Sequence, residues 1–166
     1  MMKRIFTVLL TLSLTVSFAS CFRAYSFADN VMISEITEEI LDELNSPLHY
    51  MVDNTGFTDE YFALPDYVTE HAVLYTGDTN NIDEFGIFHV TDGNASAMET
   101  LLRERYLTAS YEKNREFYDS YIPDESPKLR DAEVKSIGNY VVYAIMSAAD
   151  RNTVFNAVRD ELEINE

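Results

Sequence analysis

The chain has 166 residues, 46% hydrophobic and 25% charged, and its 29 acidic against 12 basic side chains leave a formal charge of −17. That length suits one globular domain with a real core, while five Gly and four Pro argue against extended disorder. The negative balance disfavours nucleic acid and electrostatic docking on anionic lipid, and leaves solubility or the attraction of a cationic partner as its uses.

The chain opens with Met1-Met2-Lys3-Arg4, a short positive start, and continues from Ile5 to Ser20 without a charge. This run is shorter than the ~20 apolar residues a membrane span needs and reads as the hydrophobic region of a secretory signal. Phe18-Ala19-Ser20-Cys21 closes it and resembles the bacterial lipobox, with Ala19 and Ser20 matching and Phe18 in place of the usual Leu. The resemblance implies that Cys21, the single cysteine of the chain, is the lipidation site. More than one fatty chain on that residue gives firm anchoring, and no disulfide is available within the chain. Cleavage before Cys21 removes Lys3 and Arg4 and no acid, leaving 10 basic against 29 acidic side chains. The expected organisation is a signal at 1–20, a tether at 21–30 and one acidic domain at 31–166. The expected location is the outer face of the cytoplasmic membrane. The competing reading is secretion after cleavage following Ala28, with Ser26 and Ala28 as the small residues.

Met32 to Asn45 is patterned as a helix, with Ile33, Ile36, Ile40, Leu41 and Leu44 on one face and acids on the other. Pro47 closes it. Asp53 to Leu64 reads as a loop leading into one helical turn capped by Thr58 and stopped by Pro65. Val68 to Tyr75 and Phe85 to Thr91 read as a hairpin around the turn formers Thr76 to Asp83. A long helix runs from about Ala95 to Tyr121, its stripe written by Met98, Leu102, Tyr106, Ala109, Phe117 and Tyr121, with Tyr111 and Tyr118 off it. Asp124 to Lys128 is a polar linker. A second hairpin, Ala132 to Ile137 and Tyr140 to Met146, turns at Gly138-Asn139, and a final helix capped by Asp150 or Asn152 carries Val154, Phe155, Val158 and Leu162. The fold class is α+β: an N-terminal helix, then two strand-strand-helix units. These suggest a four-stranded antiparallel sheet with helices packed on one face. Which face of the first hairpin is buried stays open, because Phe85 and Ile87 oppose an equally apolar Phe88 and Val90.

This order resembles a bacterial family of domains of unknown function, number 4358 of its series, found in lipoproteins of clostridia-like bacteria. The resemblance runs from about Ile33 to Leu162. It rests on the acidic helix Ile36 to Leu44, on Asp83-Glu84-Phe85-Gly86-Ile87-Phe88, on Tyr121-Ile122-Pro123 and on Gly138-Asn139-Tyr140-Val141-Val142. It implies an exported, lipid-anchored domain and carries no catalytic residue to transfer.

Residue chemistry adds little. His71 and His89 are placed to face each other across the first hairpin, as a half-exposed pair rather than a metal site, since no close-spaced ligand pair supports them and His49 is distant. Asp78 to Glu84 has oxygen ligands but lacks the glycine and distal Glu of a calcium loop, so it reads as a turn. There is no Gly-x-Ser-x-Gly elbow and no glycine-rich phosphate loop. Tyr106, Tyr111, Phe117, Tyr118 and Tyr121 are core or rim, and any exposed subset is a contact surface for protein or glycan. The expectation is a non-enzymatic binding or interaction module. It has no catalytic residue, metal or cofactor, and its partner is an envelope protein or small ligand. An envelope hydrolase and a structural subunit of an envelope complex are the alternatives.

Overall fold

A computed structural model describes residues 26–44, 50–52 and 62–164. His49, Cys21 and the turn expected over most of Asp53 to Leu64 lie outside the described residues.

Helix α1 spans Ile33–Leu44 and buries Ile33, Ile36, Ile40 and Leu44, the stripe its three- and four-residue spacing dictates. The four expected strands are present as β2 (Val68–Thr76), β3 (Glu84–Val90), β4 (Glu133–Ile137) and β5 (Tyr140–Ile145), preceded by a short β1 (Tyr50–Val52) that composition did not mark. They form one antiparallel sheet in the order β1-β2-β3-β5-β4. Gly138 takes φ +58 in the β4–β5 turn, the left-handed conformation a two-residue hairpin requires.

The sheet is covered on both faces, not on one as expected. On the first face α1 and the last helix, α5 (Ala148–Leu162), enclose Leu74, Phe85, Ile87, Tyr140, Val142 and Ala144. On the second, the long helix covers Val73, Phe88, Val90, Val141, Tyr143 and Ile145. All six residues of β5 are buried, because this strand lies inside the sheet with helices on either side. The two apolar faces of β3 therefore each have a partner, and the two helices that follow the hairpins go to opposite faces.

Three local readings are corrected. The 124–128 linker leads into a short helix, α4 (Ser126–Arg130), which buries Ser126 and Leu129. Helix α5 is capped by Ser147, whose hydroxyl accepts from the Asp150 backbone N–H at 3.2 Å. The long helix is α-helical over Ala95–Leu101 (α2), π-helical over Leu102–Thr108, and α-helical again over Ala109–Tyr121 (α3). Before the first helix, Ser26 to Asn30 lies against the domain. The Ala28 N–H donates to the Leu162 carbonyl at 2.8 Å, the Ile164 N–H donates to that of Ser26 at 3.0 Å, and Phe27 packs on the first core. No helix among the described residues is long and apolar enough to cross a membrane.

Candidate functional site

A π turn widens the helix by one residue, and such turns recur at functional positions. Here Thr108 supports it by donating to the Arg103 carbonyl, five residues back, at 2.9 Å. From within the turn Tyr106 donates to Glu84 Oε1 at 2.5 Å, and Tyr143 of β5 donates to the same oxygen at 2.6 Å. The Tyr106 and Tyr143 rings meet edge to face at 5.2 Å. Burial, then the Glu84 charge, pushes the Tyr143 phenol well above its ordinary value. It therefore stays a donor, and the carboxylate ties β3, β5 and the helix together.

The turn changes which aromatics are inside. A continuous α-helix would carry the stripe from Tyr106 to Ala109, Phe117 and Tyr121, as the sequence suggests. Instead it advances in fours through Leu102, Tyr106 and Ser110 to the half-buried Asn114 and Tyr118, because each residue of a π turn rotates the chain less. Tyr111 and Tyr118 pack against the second core. Phe117 and Tyr121 are 56% and 74% exposed, with ring centroids 4.9 Å apart. Among the thirteen residues of α3 only Ser110 is buried, so this pair stands on a helix turned mostly to water.

Beside the turn, a cleft of about 240 Å³ opens towards α4 and the start of β4. Leu107, Leu129 and Ala132 give it apolar walls, and Arg103, Tyr111 and Arg130 its polar ones. Arg103 pairs with Glu99 at 2.8 Å, and Arg130 grips Asp131 through two bonds of 2.8 Å. Nothing in the spacing of these residues announced the cleft, since the π turn and the unexpected α4 bring them together.

The histidines do not face each other. The register that runs unbroken from Tyr75↔Glu84 sets His71 opposite Phe88 and Glu70 opposite His89, ahead of a bulge at Thr69, which puts the two imidazoles on opposite faces of the sheet. His71 stacks on Phe88 at 5.7 Å, and His89 stacks on Tyr140 at 4.5 Å. The bulge brings the Thr69 hydroxyl to 2.8 Å from His89 Nδ1, while Nε2 lies 3.0 Å from Asp29 Oδ1. Asn139, in the β4–β5 turn, donates to the same Asp29 oxygen at 2.9 Å. The His89 and Asn139 bonds, in that order, hold the Asp29 carboxyl below its ordinary value. Asp29 and Asn139 carry no local motif, and 110 residues separate them, so only the docked N-terminal segment reveals this cluster.

Of the Asp78 to Glu84 segment, Asp78 to Asp83 is a turn, as read, and Glu84 opens β3. Asp78 accepts from the Asn80 N–H at 2.9 Å and Asn81 from that of Asp83 at 2.7 Å. Lys128 of α4 lies 2.8 Å from both Asp83 and Glu125. Burial pulls its ammonium down, and the two carboxylates outweigh this and hold it above its usual value. Among the described residues no three His, Cys, Asp or Glu side chains converge as a metal site.

Comparisons with known proteins returned no match among curated proteins or solved structures. The sequence profile of the family described as "Domain of unknown function (DUF4358)" matches residues 47–146. That span takes in the whole sheet, the π turn, the cleft and the exposed aromatic pair, and it stops short of α1 and α5. The chain belongs to the DUF4358 family.

Proposed function

We propose that this chain is an exported lipoprotein anchored through Cys21 at the outer face of the cytoplasmic membrane. Its domain is a non-catalytic module that binds an envelope partner. The observation that carries the binding reading is the Phe117–Tyr121 pair: two large aromatics side by side on the exposed side of a helix whose other two tyrosines, Tyr111 and Tyr118, pack on the core. Aromatic anchors of this kind dominate interface energetics, and a π turn that rotates them outward is a costly geometry to keep without a use.

Phe27 supports cleavage at Cys21 over cleavage after Ala28. Its side chain packs on the first core and against Gly138, so cutting after Ala28 would discard part of the folded domain. The five residue steps from Cys21 to Ser26 span at most roughly 18 Å, which holds the domain close to the bilayer while its negative charge keeps it off anionic headgroups.

The test is fatty-acid labelling and membrane fractionation of the native protein beside Cys21→Ser, with isolation of crosslinked partners from both. Label and membrane association lost only in Cys21→Ser, together with a partner lost on combining Phe117→Ser with Tyr121→Ser, support the proposal. A native protein recovered unlabelled from the medium contradicts the anchor, and a partner retained by the double variant contradicts the binding surface.

An envelope hydrolase is the second reading, favoured by the Thr69–His89–Asp29 line, which has the order of a nucleophile, a base and its orienter. The geometry weighs against it. The Thr69 hydroxyl has one hydrogen and two acceptors in reach, His89 Nδ1 at 2.8 Å and the His89 carbonyl at 3.1 Å, so the carbonyl competes for the proton that a base would have to take.

A further inference from the structure

We infer that the cleft beside the π turn is a binding site for a small carboxylate whose body is apolar or aromatic. The inference is independent of the lipid anchor and of the Phe117–Tyr121 surface. Its first support is shape: about 240 Å³ of open volume is room for roughly eight waters, the size of a small acid rather than of a peptide. Its second is the lining. Leu107, Leu129 and Ala132 offer apolar contact, and Arg103, Arg130 and Tyr111 offer donors around it, which is the usual division of labour in a ligand pocket.

Its third support is charge. In a chain with 29 acidic and 12 basic residues, an anion is repelled almost everywhere, yet two guanidinium groups line this one cleft. Each already holds a carboxylate, Glu99 for Arg103 and Asp131 for Arg130. Both pairs are exposed on the guanidinium side, by 55% and 57%, and exposed pairs are weak. A ligand carboxylate can therefore take over a guanidinium edge while Glu99 or Asp131 turns to water. The planar fork of arginine suits that exchange. The Tyr111 hydroxyl, with no bond to a described residue, adds a donor to the same oxygen atoms. A dianion fits less well, because Glu99, Asp131 and the nearby Asp119 repel the second charge more than the exchange gains.

The test is methyl NMR of the full chain in detergent micelles, titrated with benzoate, with benzyl alcohol as its neutral counterpart and with inorganic phosphate as a bare anion. Benzoate is expected to shift the Leu107, Leu129 and Ala132 methyl signals saturably, with benzyl alcohol weaker by at least about tenfold, since a charge-assisted bond is lost. Arg103→Gln and Arg130→Gln, both at exposed positions, are expected to weaken benzoate by a similar factor, and Arg115→Gln, outside the cleft, to leave it unchanged. Benzoate that shifts none of these signals overturns the inference. So does benzyl alcohol binding equally well, or phosphate producing the same shifts at the same concentration.

Discussion

Gly86 of β3 lies directly against the ring of Tyr143 on the neighbouring strand: a Cβ at position 86 would stand 2.2 Å from Tyr143 Cε1. The two residues are register partners in the β3–β5 ladder, and the missing side chain is what lets a buried tyrosine lie across the strand and reach Glu84. Gly86→Ala is therefore an overpacking change at a fully buried point. It is expected to cost about 1–3 kcal/mol, read as a lower urea midpoint with an unchanged slope. Unchanged stability would mean that the ring is free to move aside.

Tyr143→Phe leaves the ring and removes one of two phenol donors to Glu84. The expected loss is about 1–3 kcal/mol, the cost of a buried acceptor losing a partner. The pH dependence has a definite sign. Because the Tyr143 phenol is held well above its ordinary value, its neutral form is favoured by folding. That contribution is complete below about pH 10 and falls as pH rises above it, where only the unfolded chain ionises. Urea midpoints between about pH 8 and pH 11 should thus decline less steeply in Tyr143→Phe than in the native protein, and parallel slopes would contradict the assignment.

Lys128→Met removes the cation between Asp83 and Glu125, whose side chains are only 8% and 16% exposed. Two mostly buried carboxylates then face each other across the β2–β3 loop and α4. The expected cost is about 2–4 kcal/mol, below the full penalty of a broken buried pair because water still reaches the site. Thermal unfolding at neutral pH measures it. Adding Asp83→Asn to Lys128→Met should recover part of the loss, and a further fall would contradict the pairing.

The Asp29 carboxylate holds the N-terminal segment to His89 and Asn139. Its folded value is lowered, so its contribution is complete above about pH 4, the unfolded value, and is lost as pH falls below that towards the lower folded value. The site is exposed, and the contribution is at most about 1 kcal/mol. Asp29→Ala should reduce amide-exchange protection of Ala28 and Ile164, whose N–H groups close the segment onto the domain. The reduction should be larger at about pH 6 than at about pH 3. Equal reduction at both would mean that the carboxylate charge is not what holds the segment.

The parts of this fold that were legible are those where local spacing and tertiary demand agree. The α1 stripe from Ile33 to Leu44 and the Gly138-Asn139 turn are of this kind. The equal apolarity of Phe85/Ile87 and Phe88/Val90 was a sign of a sheet covered on both faces, though hairpin order alone suggested one. What could not be read is where one inserted residue changes everything after it. The bulge at Thr69 swings its hydroxyl onto the His89 ring, and the π turn at Leu102–Thr108 exchanges Phe117 and Tyr121 for Tyr111 and Tyr118. Neither insertion has a residue signature, since each is held by distant groups, His89 for Thr69 and Glu84 for Tyr106. The candidate site was legible as an aromatic-rich helix, and its exposed members were not.

The central claim is that Phe117 and Tyr121 form the surface through which a membrane-tethered domain meets its partner. The most direct measurement places a photo-crosslinking side chain at position 121 in whole cells, beside the same probe at Glu112 on the same helix. The account predicts one discrete crosslinked species from position 121, lost on adding Phe117→Ser and absent from position 112. Identical products from both positions, or a product from 121 that survives Phe117→Ser, would contradict it.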